Sequence, residues 1–335
     1  MKRLAVLVII GLMVRGACLA WAGETGSSDP PEPAQSNVDA TVQPDSESSR
    51  LLGPWRVLLR AAVAAGVAVV LAWGIALIFE NRFVYHPRAG PAVSWEAGRI
   101  GARECRFTAE DGLELSAWWH PGARSVSSDD GPVLLWCHGN AGNLTHRAEN
   151  LQLLAARGIA ALLFDYRGYG KSDGKPSEQG LYRDAAAAYR YLTEERGVEP
   201  WRVICFGRSL GAAVALRTAL EKPTAGLVME SAFESVPAMA RKMWVFAPIA
   251  PLARNRYDNL SRVKELDVPL LMVHGSRDSL VPIQQGRRVF EAAAEPKEFY
   301  VVRGAGHNDL YSVGGQDYFD TLEQFCRRCV QEAAP

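Results

Sequence analysis

Four stretches of unlike hydrophobic patterning follow one another along the chain. Residues 1–22 open with Lys2 and Arg3, run apolar from Leu4 to Val14, and end on the small-x-small triplet Ala20-Trp21-Ala22. That order predicts an export signal cleaved after Ala22; Arg15 interrupts the run, and an uncleaved short anchor is the alternative. Residues 23–50 carry no apolar periodicity: serine and proline recur, and six acidic residues face one basic residue, Arg50. Such a segment cannot bury enough apolar surface to fold and reads as a disordered acidic linker. Residues 61–79 form nineteen consecutive uncharged positions. As a helix at about 1.5 Å per residue they nearly match a hydrocarbon core of about 30 Å. With Trp55, Phe83 and Tyr85 near the ends, residues 51–82 read as a transmembrane anchor region; a buried core helix is the alternative.

From residue 95 to 335 the pattern becomes an alternation of short apolar runs and longer amphipathic ones. Strands are predicted at 132–137, 159–164, 202–206, 226–229, 268–273 and 298–302. Helices are predicted at 144–157, 178–196, 210–221, 283–294 and 316–332. Near-continuous apolar strands separated by helices predict an α/β fold, a mostly parallel sheet covered on both faces. Two earlier strands, 104–108 and 113–119, flank Asp111-Gly112 and predict an antiparallel hairpin at the start of the sheet.

Composition adds exclusions. Thirty-seven basic residues balance thirty-seven acidic ones, so no nucleic-acid partner is expected. Six cysteines in 335 residues are too few for a disulfide-stapled scaffold. Five of them fall within residues 95–335, and an odd set favours a reducing compartment. Cys326-x-x-Cys329 lacks a second pair, and no histidine shows metal-ligand spacing, so no metal or other cofactor is expected.

The chemistry concentrates at the ends of the predicted strands. Gly207-Arg208-Ser209-Leu210-Gly211 joins a strand directly to a helix, the setting in which a sharp turn presents a serine nucleophile. Gly207 and Gly211 let that turn pack closely. A serine needs a base and the base an orienting acid. His307, in a loop after the last strand, is the expected base. Asp278, after the preceding strand, is the expected acid; Glu230 is the rival and Asp309 a weaker one. The oxyanion donors are expected at the backbone amides of Leu210 and Asn140, the latter in the loop His138-Gly139-Asn140 after the strand 132–137. His274 and the run from Asp165 to Ser172 are expected to support the site rather than react.

Together these residues resemble the α/β-hydrolase superfamily. The segments FVYHP, HGNAGN, DYRGYGKSDG, GRSLG, ES-F and GAGHND are similar to those of its BEM46-like branch, related to the serine aminopeptidase-like hydrolases. The resemblance spans about residues 80–330. It implies the α/β-hydrolase fold with a short lid at 230–257. It also implies a serine hydrolase acting on an ester or, as in relatives described as depalmitoylases, a thioester. The apolar lid residues Met243, Trp244, Phe246, Pro248, Ile249 and Leu252 point to an acyl-chain substrate, unless they only cover the core. A serine peptidase and a non-catalytic membrane-tethered scaffold are the competing readings. The expected partners are a small-molecule or acyl-chain substrate and the lipid bilayer around residues 61–79. If the first segment is exported, the span returns the hydrolase to the cytoplasmic face, which is the side favoured; if it is not, the span exports the hydrolase.

Overall fold

The computed structural model describes residues 47–90, 96–123 and 131–335, with side chains from Trp55 onward. The expected export signal and most of the acidic linker lie outside the described residues. Two compact units divide the chain, one ending at Ala62 and the other running Val63–Pro335.

Helix α1, Glu47–Ile78, crosses that division. It begins four residues inside the segment read as linker. Its stretch Trp55–Ile78 is long and apolar enough to cross a membrane, and none of its most apolar window is buried inside the protein. That removes the buried-core-helix alternative. Val57, Val63, Val67, Leu71 and Ile75 all stand more than half exposed, a state that water disfavours.

The body is built on eight strands: β1 (Arg103–Thr108), β2 (Glu114–His120), β3 (Val133–Cys137), β4 (Ala160–Phe164), β5 (Val203–Arg208), β6 (Gly226–Glu230), β7 (Leu270–Gly275) and β8 (Lys297–Val302). They pair in the order β8-β7-β6-β5-β3-β4-β2-β1. The β1–β2 hairpin is antiparallel, β2 meets β4 antiparallel, and all other pairs are parallel. Helices α2 (Ala148–Ala156), α3 (Glu178–Arg190), α4 (Leu210–Glu221), α5 (Ile283–Ala292) and α6 (Leu310–Ala333) cover both faces.

Strand periodicity sorts the core. Val133, Leu135 and Cys137 pack in one layer with α3, α4 and α5, while Leu134 and Trp136 pack in the other with α2 and α6. Both faces of the central strands are buried, which is why they read as unbroken apolar runs. Most element boundaries shift by a few residues from the sequence expectation, and two differences bear on the site. Helix α6 starts six residues early, at Leu310, because a kink at Gly315 (φ 52°, ψ −134°) separates its first turn from the regular part. Contacts with the body also reach back N-terminal of residue 95. Tyr85 is buried, its hydroxyl bonded to Asn255 Oδ1 at 2.6 Å and paired with the Tyr257 hydroxyl at 2.8 Å. His86–Pro87 pairs parallel with Ala141–Gly142.

Candidate active site

Strand order places the site. β3 and β5 are neighbours, with Cys137 opposite Gly207, so the turns leaving them emerge side by side. β7 and β8 are also neighbours, with Gly275 opposite Val302, and the loops that follow carry Asp278 and His307.

Ser209 occupies the turn from β5 to α4 with φ 54° and ψ −114°, a conformation that costs a non-glycine residue on the order of 1–3 kcal/mol. Its surroundings impose it. The Ser209 amide donates to the Glu230 carbonyl at 2.8 Å, tying the turn to β6. A Cβ on Gly211 would stand 2.0 Å from the Cys137 carbonyl oxygen, and one on Gly207 would stand 2.2 Å from that of Gly211. Only glycines let α4 start this close to the end of β3.

His307 Nε2 lies 3.1 Å from Ser209 Oγ, and His307 Nδ1 lies 2.7 Å from Asp278 Oδ2. With Nδ1–H donating to the carboxylate, Nε2 is left to accept the serine proton. Burial pushes the Asp278 carboxyl up, but the hydrogen bond and charge of His307, with the Val281 amide, outweigh it and hold the group below the usual carboxylate value. The loops that carry Asp278 and His307 are clipped together: the Arg277 amide donates to Ala305 O at 2.8 Å and the Gly304 amide to Ser276 Oγ at 2.8 Å. His274 sits beneath them, fully buried, its Nε2–H donating to Val281 O at 2.9 Å. The rival acids are engaged elsewhere. Glu230 is buried and accepts from the Tyr318 hydroxyl, and Asp309 accepts the Gly306 amide at 2.7 Å.

The loop after β3 lies against the nucleophile. A Cβ on Gly139 would stand 3.4 Å from Arg208 O and 3.9 Å from Ser209 Cβ. Among the described residues, the backbone amides of Asn140 and Leu210 donate to no protein acceptor. The Asn140 side chain is engaged at both ends: Oδ1 accepts from the His86 amide at 3.1 Å and the Tyr169 hydroxyl at 2.9 Å, and Nδ2 donates to Val84 O. His138 is buried; its carbonyl accepts from the Tyr166 hydroxyl at 3.0 Å, and its Nε2 lies 3.4 Å from Asp165 Oδ1 without a hydrogen bond. Asp165 Oδ1 in turn accepts the Leu144 amide at 2.8 Å. The Asp165–Ser172 segment thus holds the loop in place, as the sequence suggested.

Sequence reasoning passed over Arg208. Its guanidinium donates to His307 O and, at 3.0 Å, to Asn308 Oδ1. The available signal was a long cation next to the nucleophile. Glu80 was also missed. This buried carboxylate just beyond α1 accepts the Arg254 amide at 2.9 Å and the Asn255 amide at 2.8 Å.

The chain has relatives. A family model described as Serine aminopeptidase, S33 matches residues 130–260. The uncharacterized protein Rv2307c of Mycobacterium tuberculosis is 38% identical over 269 residues, covering 80% of this chain and 93% of that protein. The alpha/beta hydrolase domain-containing protein WAV2 of Arabidopsis thaliana is 28% identical over 295 residues, covering 81% of this chain and 92% of that one. Among solved structures, the esterase Pf2001 of Pyrococcus furiosus matches 73% of this chain and 98% of its own with a TM-score of 0.61, at 22% identity, a likeness of fold.

Proposed function

This chain belongs to the α/β-hydrolase superfamily, and from that premise we propose a membrane-anchored serine hydrolase that cleaves a carboxylic ester or thioester through an acyl-enzyme. The observation that carries the reading is the line Ser209 Oγ, His307 Nε2, His307 Nδ1, Asp278 Oδ2, with steps of 3.1 and 2.7 Å.

Ser209 Oγ attacks the acyl carbonyl as its proton passes to His307 Nε2, and Asp278 stabilises the resulting imidazolium. The Asn140 and Leu210 amides, the latter at the start of α4, receive the developing oxyanion; one such donor is worth roughly 100-fold or more in turnover. His307 then gives the proton to the departing alcohol or thiol. Water, deprotonated by the same His307, attacks the acyl-serine; the acid leaves and Ser209 regains its proton. An aminopeptidase reading is less favoured, because it needs a free carboxylate for the substrate amine. Glu230 and Asp309 are both already bonded within the protein.

The apolar stretch Trp55–Ile78 supports the anchor. An exported first segment would return the body to the cytoplasmic face, which reporter fusions after Arg50 and after Pro335 test. The catalytic reading is tested with a fluorophosphonate probe and short p-nitrophenyl esters. Wild-type chain is labelled and turns over; Ser209→Ala, with unchanged circular dichroism, does neither. Turnover retained by the folded variant overturns the assignment, and an unlabelled, inactive wild type revives the scaffold reading.

A further inference from the structure

The segment between the short helix Val236–Arg241 and the turn Ala250–Leu252 carries the most exposed large hydrophobic side chain among the described residues, Trp244, at 82%. Met243 and Val245 beside it are 52% and 40% exposed. A bare indole flanked by apolar residues marks a surface that something covers.

The contacts of this tip with α1 say what covers it. Trp73 of α1 donates its indole N–H to Val245 O at 2.9 Å. Trp73 precedes the helix end at Ile78 by five residues. At 1.5 Å per residue that is roughly 7–8 Å back along the axis. The tip therefore reaches past the end of α1 and lies alongside its final turns. Two further contacts fix it there. The rings of Phe83 and Phe246 stand 6.5 Å apart, and Arg254 donates to the terminal carbonyls of Leu77 at 2.9 Å and Ile78 at 3.3 Å.

Resting on the reading of Trp55–Ile78 as a membrane span, we propose that Met243-Trp244-Val245 is a second membrane-inserted element, seated in the acyl boundary of the leaflet from which the catalytic body emerges. The depth set by Trp73 falls within the roughly 5–10 Å to which interfacial elements sink. The indole N–H of Trp73, which lipid could not satisfy, finds its acceptor in the tip. Exposed Arg241 and Lys242 before the tip, and Arg254 after it, stand where phosphate headgroups begin. The tip also adjoins the catalytic machinery. Lys242 Nζ reaches Leu280 O at 3.4 Å, in the loop that carries Asp278, and Leu280 itself is 51% exposed. A lipid-dissolved acyl ester thus has an apolar approach that begins inside the leaflet.

The test uses the full chain in phosphatidylcholine vesicles, with acyl chains either plain or brominated near the headgroup end. The emission of Trp244 is the difference between wild type and Trp244→Phe. Insertion predicts that bromination quenches this difference emission by about half or more, with the chain retained on vesicles through alkaline carbonate washing. Retention without quenching of Trp244 overturns the inserted tip and leaves the span standing. Release by carbonate removes the span, and this proposal with it.

Discussion

Arg208 reaches across from the residue before the nucleophile and donates to the carbonyl of His307. The loop that carries the base is thereby tied to the strand that carries the serine. Hydrogen bonds to a charged group contribute about 1.5–3 kcal/mol, and each 1.4 kcal/mol lost from transition-state alignment is about tenfold in rate. Arg208→Ala should therefore lower kcat by about 10- to 100-fold with KM changed less than about threefold, and Arg208→Lys should recover part of the loss. Steady-state kinetics beside a melting curve check this. A fall in melting temperature with kcat intact would leave Arg208 a purely structural residue.

Asp278 and Glu230 are both buried carboxylates near Ser209, but only Asp278 touches the imidazole. Asp278→Asn should cost on the order of 1,000-fold or more in kcat, since the amide no longer holds the required tautomer. Glu230→Gln should lower the melting temperature while keeping kcat within about tenfold. Reversed losses would exchange the roles.

His274 supplies a pH signature. Burial holds its pKa below the ordinary histidine value, against the upward pull of the Val281 carbonyl and Asp278, while His307 and Arg287 push it down as well. Its Nδ1 is buried with no partner, so a protonated ring would carry an unpaired N–H. The unfolded chain takes up a proton near pH 6.5 and the folded chain only at lower pH. Stability contributed by neutral His274 is thus complete above that value and is lost as pH falls toward the folded pKa, about 1.4 kcal/mol for each unit of depression. His120 and His146 are depressed by burial too and act in the same direction. The measurement is the urea midpoint of His274→Gln and wild type at pH 7 and pH 5. A smaller drop is expected for the variant; an equal drop would exclude His274 as a source.

Gly211→Ala should destabilise the body by about 3 kcal/mol, because the added methyl meets the backbone oxygens of Cys137 and His138 rather than a movable side chain. Those oxygens lie at the root of the oxyanion loop, so turnover should fall even well below the melting temperature. A variant with wild-type melting and wild-type turnover would contradict the close packing.

The parallel strands were legible because burial on both faces writes each as an uninterrupted apolar run. The Ser209, Asp278 and His307 set was legible for a different reason: residue type, a flanking strand and chain order each narrowed the choice. What escaped were partners distant in sequence. Arg208 and His307 are 99 positions apart, and Glu80 and Asn255 are 175 apart. No local pattern announces such pairs. The early start of α6 escaped because Gly314-Gly315 breaks the helical periodicity. The contacts of Glu80–Gly90 escaped because the apolar signal of α1 runs almost up to Glu80 and hides them.

The stretch from Glu80 to Gly90 is more than a link between α1 and the sheet. Val84 and His86 grip the Asn140 side chain, and Asn143 Nδ2 reaches back to Arg88 O at 3.2 Å. A fragment trimmed to begin at residue 95 would lose the brace of its own oxyanion loop. On the proposed reading, a proteolytic nick near Arg88 would bear first on the loop whose Asn140 amide receives the oxyanion, by way of the bonds from Val84, His86 and Arg88.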